Sequence, residues 1–527
     1  MQINKLIHED YTIYQSKLLL DFSFSSSDIK YDDLFLSVVN IVERINLKKY
    51  IDFTKIRKNS YDPKALFTVV LFAYASKGYA SLRDLEDMCR YDARCRLLMG
   101  GLVPSYKSFE RFIYDKLKLN IKDINADVYR LIQDEKAFQE SILYVDGTKF
   151  EANANKMTFF WRAWLNSYYP RHWKKCMEII SKLNRYFKNN EINIKYSILK
   201  SPDIDYLIEI DERVNAWLDE IHAIRKGRGI HEVAVLVREL RKVAKKIFEY
   251  ALAKDILGKR NSFSKTDPDA TFMCMKYDYY NHTNVFKPGY NMQVGVNNGY
   301  IAHYYVSADS NDINTYIPFV EEYKALYGSF PTAVVADAGY GSLNNYIYSD
   351  INNINAILKY SGYEKKKEKT NRKNQYRLSH LKRTEDNIPI CPEGYVFDFE
   401  NTSIKYIYGL PSITSYYRNS HCSECPVRNE CTKSKQGRTA RINHTLNKYH
   451  SKIDKILETE EGKMMMANRS SMAEGTFADI KKNFNYDILR RRGESGVELE
   501  LGLQVLGYNL RKYHNKNAHS CKSLIFS

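Results

Sequence analysis

No uninterrupted apolar stretch in these 527 residues approaches the ~18–20 residues that a bilayer span requires, so no membrane partner is expected. The opening residues, MQINKLIHEDYTIYQ, lack an apolar core ahead of a small-residue cleavage site. No secretory signal is expected, and the reading is cytoplasmic. Nine cysteines, an odd number scattered over a long chain, do not make the dense framework of a secreted disulfide scaffold. Internal repeats are absent. Acidic residues are the minority charge, 63 against 80 Lys and Arg, for a net +17. A surface of that sign favours a polyanionic partner, either nucleic acid or an anionic membrane face. At 44% apolar and 27% charged the composition is globular, and the length suggests three or four domains.

From about 31 to 135 the apolar spacing is helical. Pro63 opens a helix through PKALFTVVLFAYASK that Gly78 should end. Ser81 caps a second helix, which stops at Gly100 and Gly101, and a third starts near Ser105. Arg83, Arg90, Arg94, Arg96, Lys107 and Arg111 lie on their polar sides, as in a DNA-reading bundle or a structural one with solvated charges. SILYVDGTKF, at 141–150, is a short β-forming run with Asp146 near its end. Residues 156–260 return to helix, with Val233, Val237, Leu240 and Ile247 on a packing stripe. Strands are expected again at 285–310, with a hairpin turn at Asn297-Asn298-Gly299. A helix over 312–327, an apolar strand in PTAVVADAGYGS (331–342) that ends in Asp337, a helix at 343–352 and a strand at 355–360 follow. Residues 361–455 read as basic and loop-rich; a helix begins near Asn468, and a last one spans 496–513.

Three acids make the strongest constellation: Asp146, Asp337 and Glu474. Two of them end strand-like runs, and ligands bind at that edge of open α/β sheets. Half-desolvated carboxylates gathered there repel one another unless cations neutralise them. Mg²⁺ takes carboxylate oxygens and keeps sites for phosphates. Two such ions, about 3.5–4 Å apart, clamp the attacking and leaving oxygens of a phosphoryl displacement. Helical phase selects Glu474: with Phe477 and Lys481 it lies at i, i+3 and i+7, placing a carboxylate and a cation in line.

Several ordered motifs carry a family resemblance. They are YVDGTKFEANANK (144–156), the helical stretch 63–112, SKTDPDATF (264–272), KPGYNMQVGV (287–296), VVADAGYGS (334–342), AEGTFADIKKNF (473–484), ILRRRG (488–493) and GYNLRK (507–512). Together, over about residues 31–515, the chain resembles the DDE transposases of bacterial insertion sequences, in the group whose first catalytic strand reads VDGT. The resemblance implies an α/β fold: an RNase H-like mixed-sheet core with inserted helical and cysteine-bearing segments, preceded by an all-α N-terminal domain. The implied division is 1–135, a DNA-end-binding domain; 136–360, the first part of the core with a helical insertion at about 156–260; 361–455, a basic, cysteine-bearing insertion; and 456–527, the part carrying the Glu helix.

Carried over by motif, Asp146, Asp337 and Glu474 are the catalytic ligands of two Mg²⁺ (or Mn²⁺) ions, and Lys481 is the basic position after the Glu. Relatives often carry a Tyr and an Arg upstream of that Glu. Here Arg469 lies one residue further out than usual and no Tyr precedes it. Asp312 falls where relatives often have a supporting acid. The implied reaction is cleavage at transposon ends, then transfer of the freed 3′-hydroxyl into target DNA. The implied partners are terminal inverted repeats, target DNA and a second copy of the chain, at the bacterial nucleoid. The rivals are an RNase H-like metal-dependent nuclease without strand transfer and a catalytically inactive DNA-binding derivative.

Cys391, Cys422, Cys425 and Cys431 form CPEG…HCSEC…C, whose C-x₂-C step has the spacing of a zinc site; His421 is an alternative ligand. Free thiols or a disulfide are the other readings. The run 365–383 holds nine Lys or Arg and one acid, suiting either a solvated loop or phosphate contact. Arg490, Arg491, Arg492 and Lys359 are further phosphate candidates. Trp161, Trp164 and Trp173 read as core packing ahead of base stacking.

Overall fold

The computed structural model describes residues 29–30, 32–51, 60–136, 138, 142–221, 232–278, 281–364, 375–484 and 486–525. Residues 1–28 and 365–374, which take in the lead-in and most of the basic run, lie outside these. The chain divides into two units, one of residues 1–150 and 291–527, the other of residues 151–290.

Eight strands build the sheets that matter here: β1 (Ile142–Glu151), β2 (Phe159–Trp161), β3 (Ser262–Ser264), β4 (Thr271–Asp278), β5 (Thr283–Asn297), β6 (Tyr300–Ser307), β7 (Ala333–Gly341) and β8 (Asn355–Tyr360). In the first unit they run in the order β6-β5-β1-β7-β8. β5 and β6 are antiparallel, joined by a tight turn in which Asn298 (φ 50°) and Gly299 (φ 80°) take left-handed conformations. β1, β7 and β8 are parallel neighbours. Their apolar runs, such as Leu143–Val145 and Val334–Ala336, are buried, as expected for strands covered on both faces.

Local signals set the helices. Asp62 accepts the Lys64 N–H, Pro63 occupies the first position of Pro63–Lys77, and Gly78 ends it at φ 74°. Ala65 to Ala75 are buried on every side of this helix, so it is a core element. Ser81 and Asp84 cap Leu82–Tyr91 reciprocally. Helix Glu494–Ile525 packs on Pro63–Lys77, and the helices between 34 and 136 share one buried core with the sheet.

The second unit has its own core. Helices Arg162–Asn189, Ile204–Glu220 and Glu232–Leu257 bury Trp173, Ile180, Phe187, Ile210, Leu240 and Ile247 together. β2 pairs with β3, and β4 with the first half of β5.

Two expectations need correction. Residues 361–455 are not mainly loop: strands Asp398–Ile407, Leu410–Arg418 and Thr439–Asn443 form a sheet, and His444–Glu458 is a helix. Asp398–Ile407 is almost entirely exposed, so no alternation of apolar residues announced it. The Glu474 helix starts at Glu460, not near Asn468, with Thr459 as its cap. It then widens into a π-helical turn, Ala478–Asn483.

Candidate active site

Asp146 and Asp337 stand side by side. β1 and β7 pair through Val145 and Ala336, and each aspartate follows directly. Asp146 Oδ1 accepts the Gly147 N–H at 2.9 Å, and Asp337 Oδ1 accepts the Gly339 N–H at 2.8 Å. Asp312, in the turn Asp312–Asn314, accepts from Asn291 Nδ2 at 2.7 Å and Gln293 Nε2 at 3.1 Å. The buried Tyr340 hydroxyl donates to Gln293 Oε1. Two glycines let these groups converge. A Cβ on Gly147 would lie 2.7 Å from Gln293 Oε1 and 2.9 Å from Asp312 Oδ1; one on Gly339 would lie 3.0 Å from Asp337 Oδ1 and 3.4 Å from Asp312 Oδ2.

Glu474 reaches this cluster through its own helix. Ser470 Oγ donates to Glu474 Oε1 at 2.8 Å. Arg469, about one turn before Glu474, is only 12% exposed, with Nη1 3.5 Å from Asp146 Oδ1 and Nη2 3.9 Å from Glu474 Oε1. A single guanidinium thus links the strand acid to the helix acid. Its Nε and Nη1 are buried without a hydrogen-bond acceptor among the described residues. Buried donors left unpaired are costly, and the nearby Asp146 carboxylate offsets part of that cost.

Burial pushes the Asp146 carboxyl up to about 6; Arg469 pulls it down, while Asp337 and Asp312 add to the rise. Among the described residues, no three His, Cys, Asp or Glu side chains share one coordination sphere. The chemistry of the strand acids nevertheless suits a hard divalent cation. They offer only oxygens, and a bound cation would favour the ionised form that burial opposes.

The other candidates are placed less simply. Lys481 falls in the π turn, out of phase with Glu474. Its ammonium donates to the Lys149 carbonyl at 2.6 Å and lies over the Phe150 ring, tying the helix to β1. Lys359 pairs with Glu364. Arg491 points inward: its Nε donates to the Tyr114 hydroxyl at 3.1 Å, and its Nη1 is buried. Arg490 and Arg492 are exposed. Arg94 is anchored by Asp33 and Asp92, and Arg90 by Glu86. Trp173 is buried and donates to the Leu199 carbonyl, Trp164 stacks on Tyr168, and Trp161 is 39% exposed beside Phe272. The four late cysteines line one small cavity.

The arginine turn hangs on a residue that sequence reasoning missed. Glu500 is fully buried and accepts the Arg490 N–H at 2.8 Å and the Arg491 N–H at 2.6 Å. Burial pushes its carboxyl up to about 7, against the pull of those two N–H groups. Glu500→Ala should cost about 2–4 kcal/mol, because two buried donors lose their acceptors. The midpoint of urea unfolding measures this. Asn291, Gln293 and Tyr340 were also missed. The signal available for the first two was a pair of polar residues at period two inside the apolar run YNMQVGV.

Residues 390–514 match the family model described as the transposase DDE domain. Over these residues the chain is similar to that domain. The matched segment holds Arg469, Glu474, Lys481, the arginine turn and the four cysteines; Asp146 and Asp337 lie N-terminal to it. Comparisons with curated proteins and with solved structures give no match. A DDE domain implies nuclease or transferase chemistry on DNA, and DDE transposases in general use divalent metals. No single helix among the described residues is long and apolar enough to cross a membrane.

Proposed function

We propose that this chain is a DNA transposase that cuts at the ends of a mobile element and joins the freed 3′-hydroxyl to target DNA, on an RNase H-like core. One observation supports the reading: the Arg469 guanidinium lies within 4 Å of both Asp146 and Glu474, so acids 328 residues apart share one cation. The strand order β6-β5-β1-β7-β8, with the acids on its central parallel pair, supports the core assignment.

Asp146, Asp337 and Glu474 would hold two divalent cations, Mg²⁺ or Mn²⁺, which when bound supply polarisation of the attacking and leaving oxygens. The rest is done by the chain. Asn291 and Gln293 hold Asp312 behind the two strand aspartates, and Tyr340 holds Gln293. Arg469 holds its positive charge between Asp146 and Glu474, offsetting the repulsion of the acids before cations bind. The nucleophile is water in the cut and the 3′-hydroxyl in the join, so the protein forms no covalent bond to DNA. The partners are double-stranded terminal repeats and target DNA. Joining two ends calls for two copies of the chain in the assembled complex, which works at the bacterial nucleoid.

The test is a cleavage and strand-transfer assay with Mg²⁺ and the element's own ends, run beside Asp146→Ala. Cutting and joining by the native chain, both lost in the variant, is the expected result. Cutting without joining would make it a nuclease, and binding alone an inactive derivative. Arg490→Ala and Arg492→Ala should each lower the slope of log affinity against log salt by about 1, as for lost phosphate contacts. Fluorescence anisotropy with labelled DNA over a salt series measures this.

A further inference from the structure

We propose that Cys391, Cys422, Cys425 and Cys431 bind one structural zinc ion, which cross-links the sheet module that precedes the catalytic helix. These cysteines come from three separate segments, Cys431 from the end of the short helix Arg428–Cys431, yet all line one cavity of about 20 Å³ together with Arg438.

Two of these segments present their sulfurs as metal-binding turns do. After Cys391 the chain reverses at Gly394 (φ 87°), with Gly394 N–H to the Cys391 carbonyl at 2.9 Å and Tyr395 N–H to Cys391 Sγ at 3.3 Å. Cys422 Sγ accepts the Arg438 backbone N–H at 3.4 Å. Backbone N–H groups aimed at sulfur stabilise a thiolate, the form that binds metal. Arg438 adds a positive charge, its guanidinium donating to Cys431 Sγ at 2.8 Å. Four thiolates around Zn²⁺ carry a net charge of −2, and a neighbouring guanidinium offsets part of it.

The module also has a reason to need an ion. Among the described residues, the strands Asp398–Ile407, Leu410–Arg418 and Thr439–Asn443 pack around a small cluster: Leu381, Phe397, Tyr417, Ala440 and Ile442, with Cys391 against it. So small a core is weak on its own, and structural metals commonly make up the difference. Zinc would tie together the segments holding Cys391, Cys422–Cys425 and Cys431, which the sheet alone joins loosely.

The sulfurs line the cavity without three of them sharing one coordination sphere. Closing it requires side-chain rotation, with Cys431 exchanging its Arg438 contact for the ion. Binding releases the thiol protons to solvent and involves no redox step. His421 is otherwise engaged, its ring flat on Tyr395 at 4.4 Å, so the sulfur-only set is favoured.

The test is the metal content of the full chain, purified with a reductant and without chelator, by inductively coupled plasma mass spectrometry. About one zinc per chain is expected. Replacement by Co²⁺ should give thiolate-to-metal charge-transfer absorption. Cys425→Ser and Cys431→Ser should each lose most of the metal, while Cys274→Ser, outside the cavity, keeps it. The native chain decides the question if those variants fail to fold. A native chain with no zinc and no Co²⁺ uptake, or an intact mass showing these cysteines paired as disulfides, would overturn the proposal.

Discussion

Asp146→Asn should lose cleavage by about a thousandfold or more while the protein becomes more stable at pH 8. The two effects have one cause. Asn keeps the size of Asp and an oxygen for the Gly147 N–H, so the strand is undisturbed. It cannot hold a cation as a carboxylate does. The native carboxyl sits at about 6 because burial and the nearby Asp337 and Asp312 oppose its charge more than Arg469 favours it. A carboxyl raised above its unfolded value means that the native state binds the proton more tightly. The associated stability is fully present below about pH 4 and is lost as pH climbs through about 6, to a total of about 3 kcal/mol. Asn escapes that loss. In chelator, therefore, Asp146→Asn should exceed the native chain by about 1–3 kcal/mol at pH 8, with the gap closing toward pH 4. Denaturant melts at the two pH values measure it. Equal stability at pH 8 would show that no stability is spent on this charge.

The second large effect concerns packing. Gly507 lies where helix Glu494–Ile525 crosses Pro63–Lys77, and a Cβ there would stand 2.5 Å from the Tyr74 carbonyl oxygen and 2.7 Å from its carbon. These are backbone atoms of a helix buried on every side from Ala65 to Ala75, so no side chain can swing aside. Arg511 fastens the same spot, donating to the Tyr74 and Ala75 carbonyls at 3.1 Å each. Gly507→Ala should cost about 2–4 kcal/mol, more than the gain in helix propensity returns. The same change at Gly475, where a Cβ meets nothing within 4 Å, should add about 0.5–1 kcal/mol. Opposite shifts of the urea midpoint are expected. If both substitutions stabilise, the two helices do not approach as closely as described.

Both predictions turn on features of different legibility. Helix Pro63–Lys77 could be read to within a residue, because Asp62, Pro63 and Gly78 act on the backbone beside them. So could the turn at Asn298-Gly299, whose positive φ angles need those residue types. The closeness of Gly507 to Tyr74 could not, since nothing near Gly507 in the chain records what packs on it. The exposed strand Asp398–Ile407 was missed for a related reason: its partners, and not its own pattern, make it a strand.

The site divides the same way. Asp146 and Asp337 were visible as acids in apolar runs, and Glu474 as an acid on a helix; residue type and short-range spacing were enough to nominate them. Lys481 was placed by α-helical phase, and the π turn then moved it onto β1. Arg491 was one of three identical neighbours, and only the pocket around Tyr114 draws it inside. Chain-local chemistry thus determined caps, turns and parallel-strand composition, because those depend on neighbours a few residues away, and it nominated the acids. The tertiary structure decided which carboxylates meet, which cations face them and which polar groups hold them still, because those contacts join residues up to several hundred positions apart and desolvate them together.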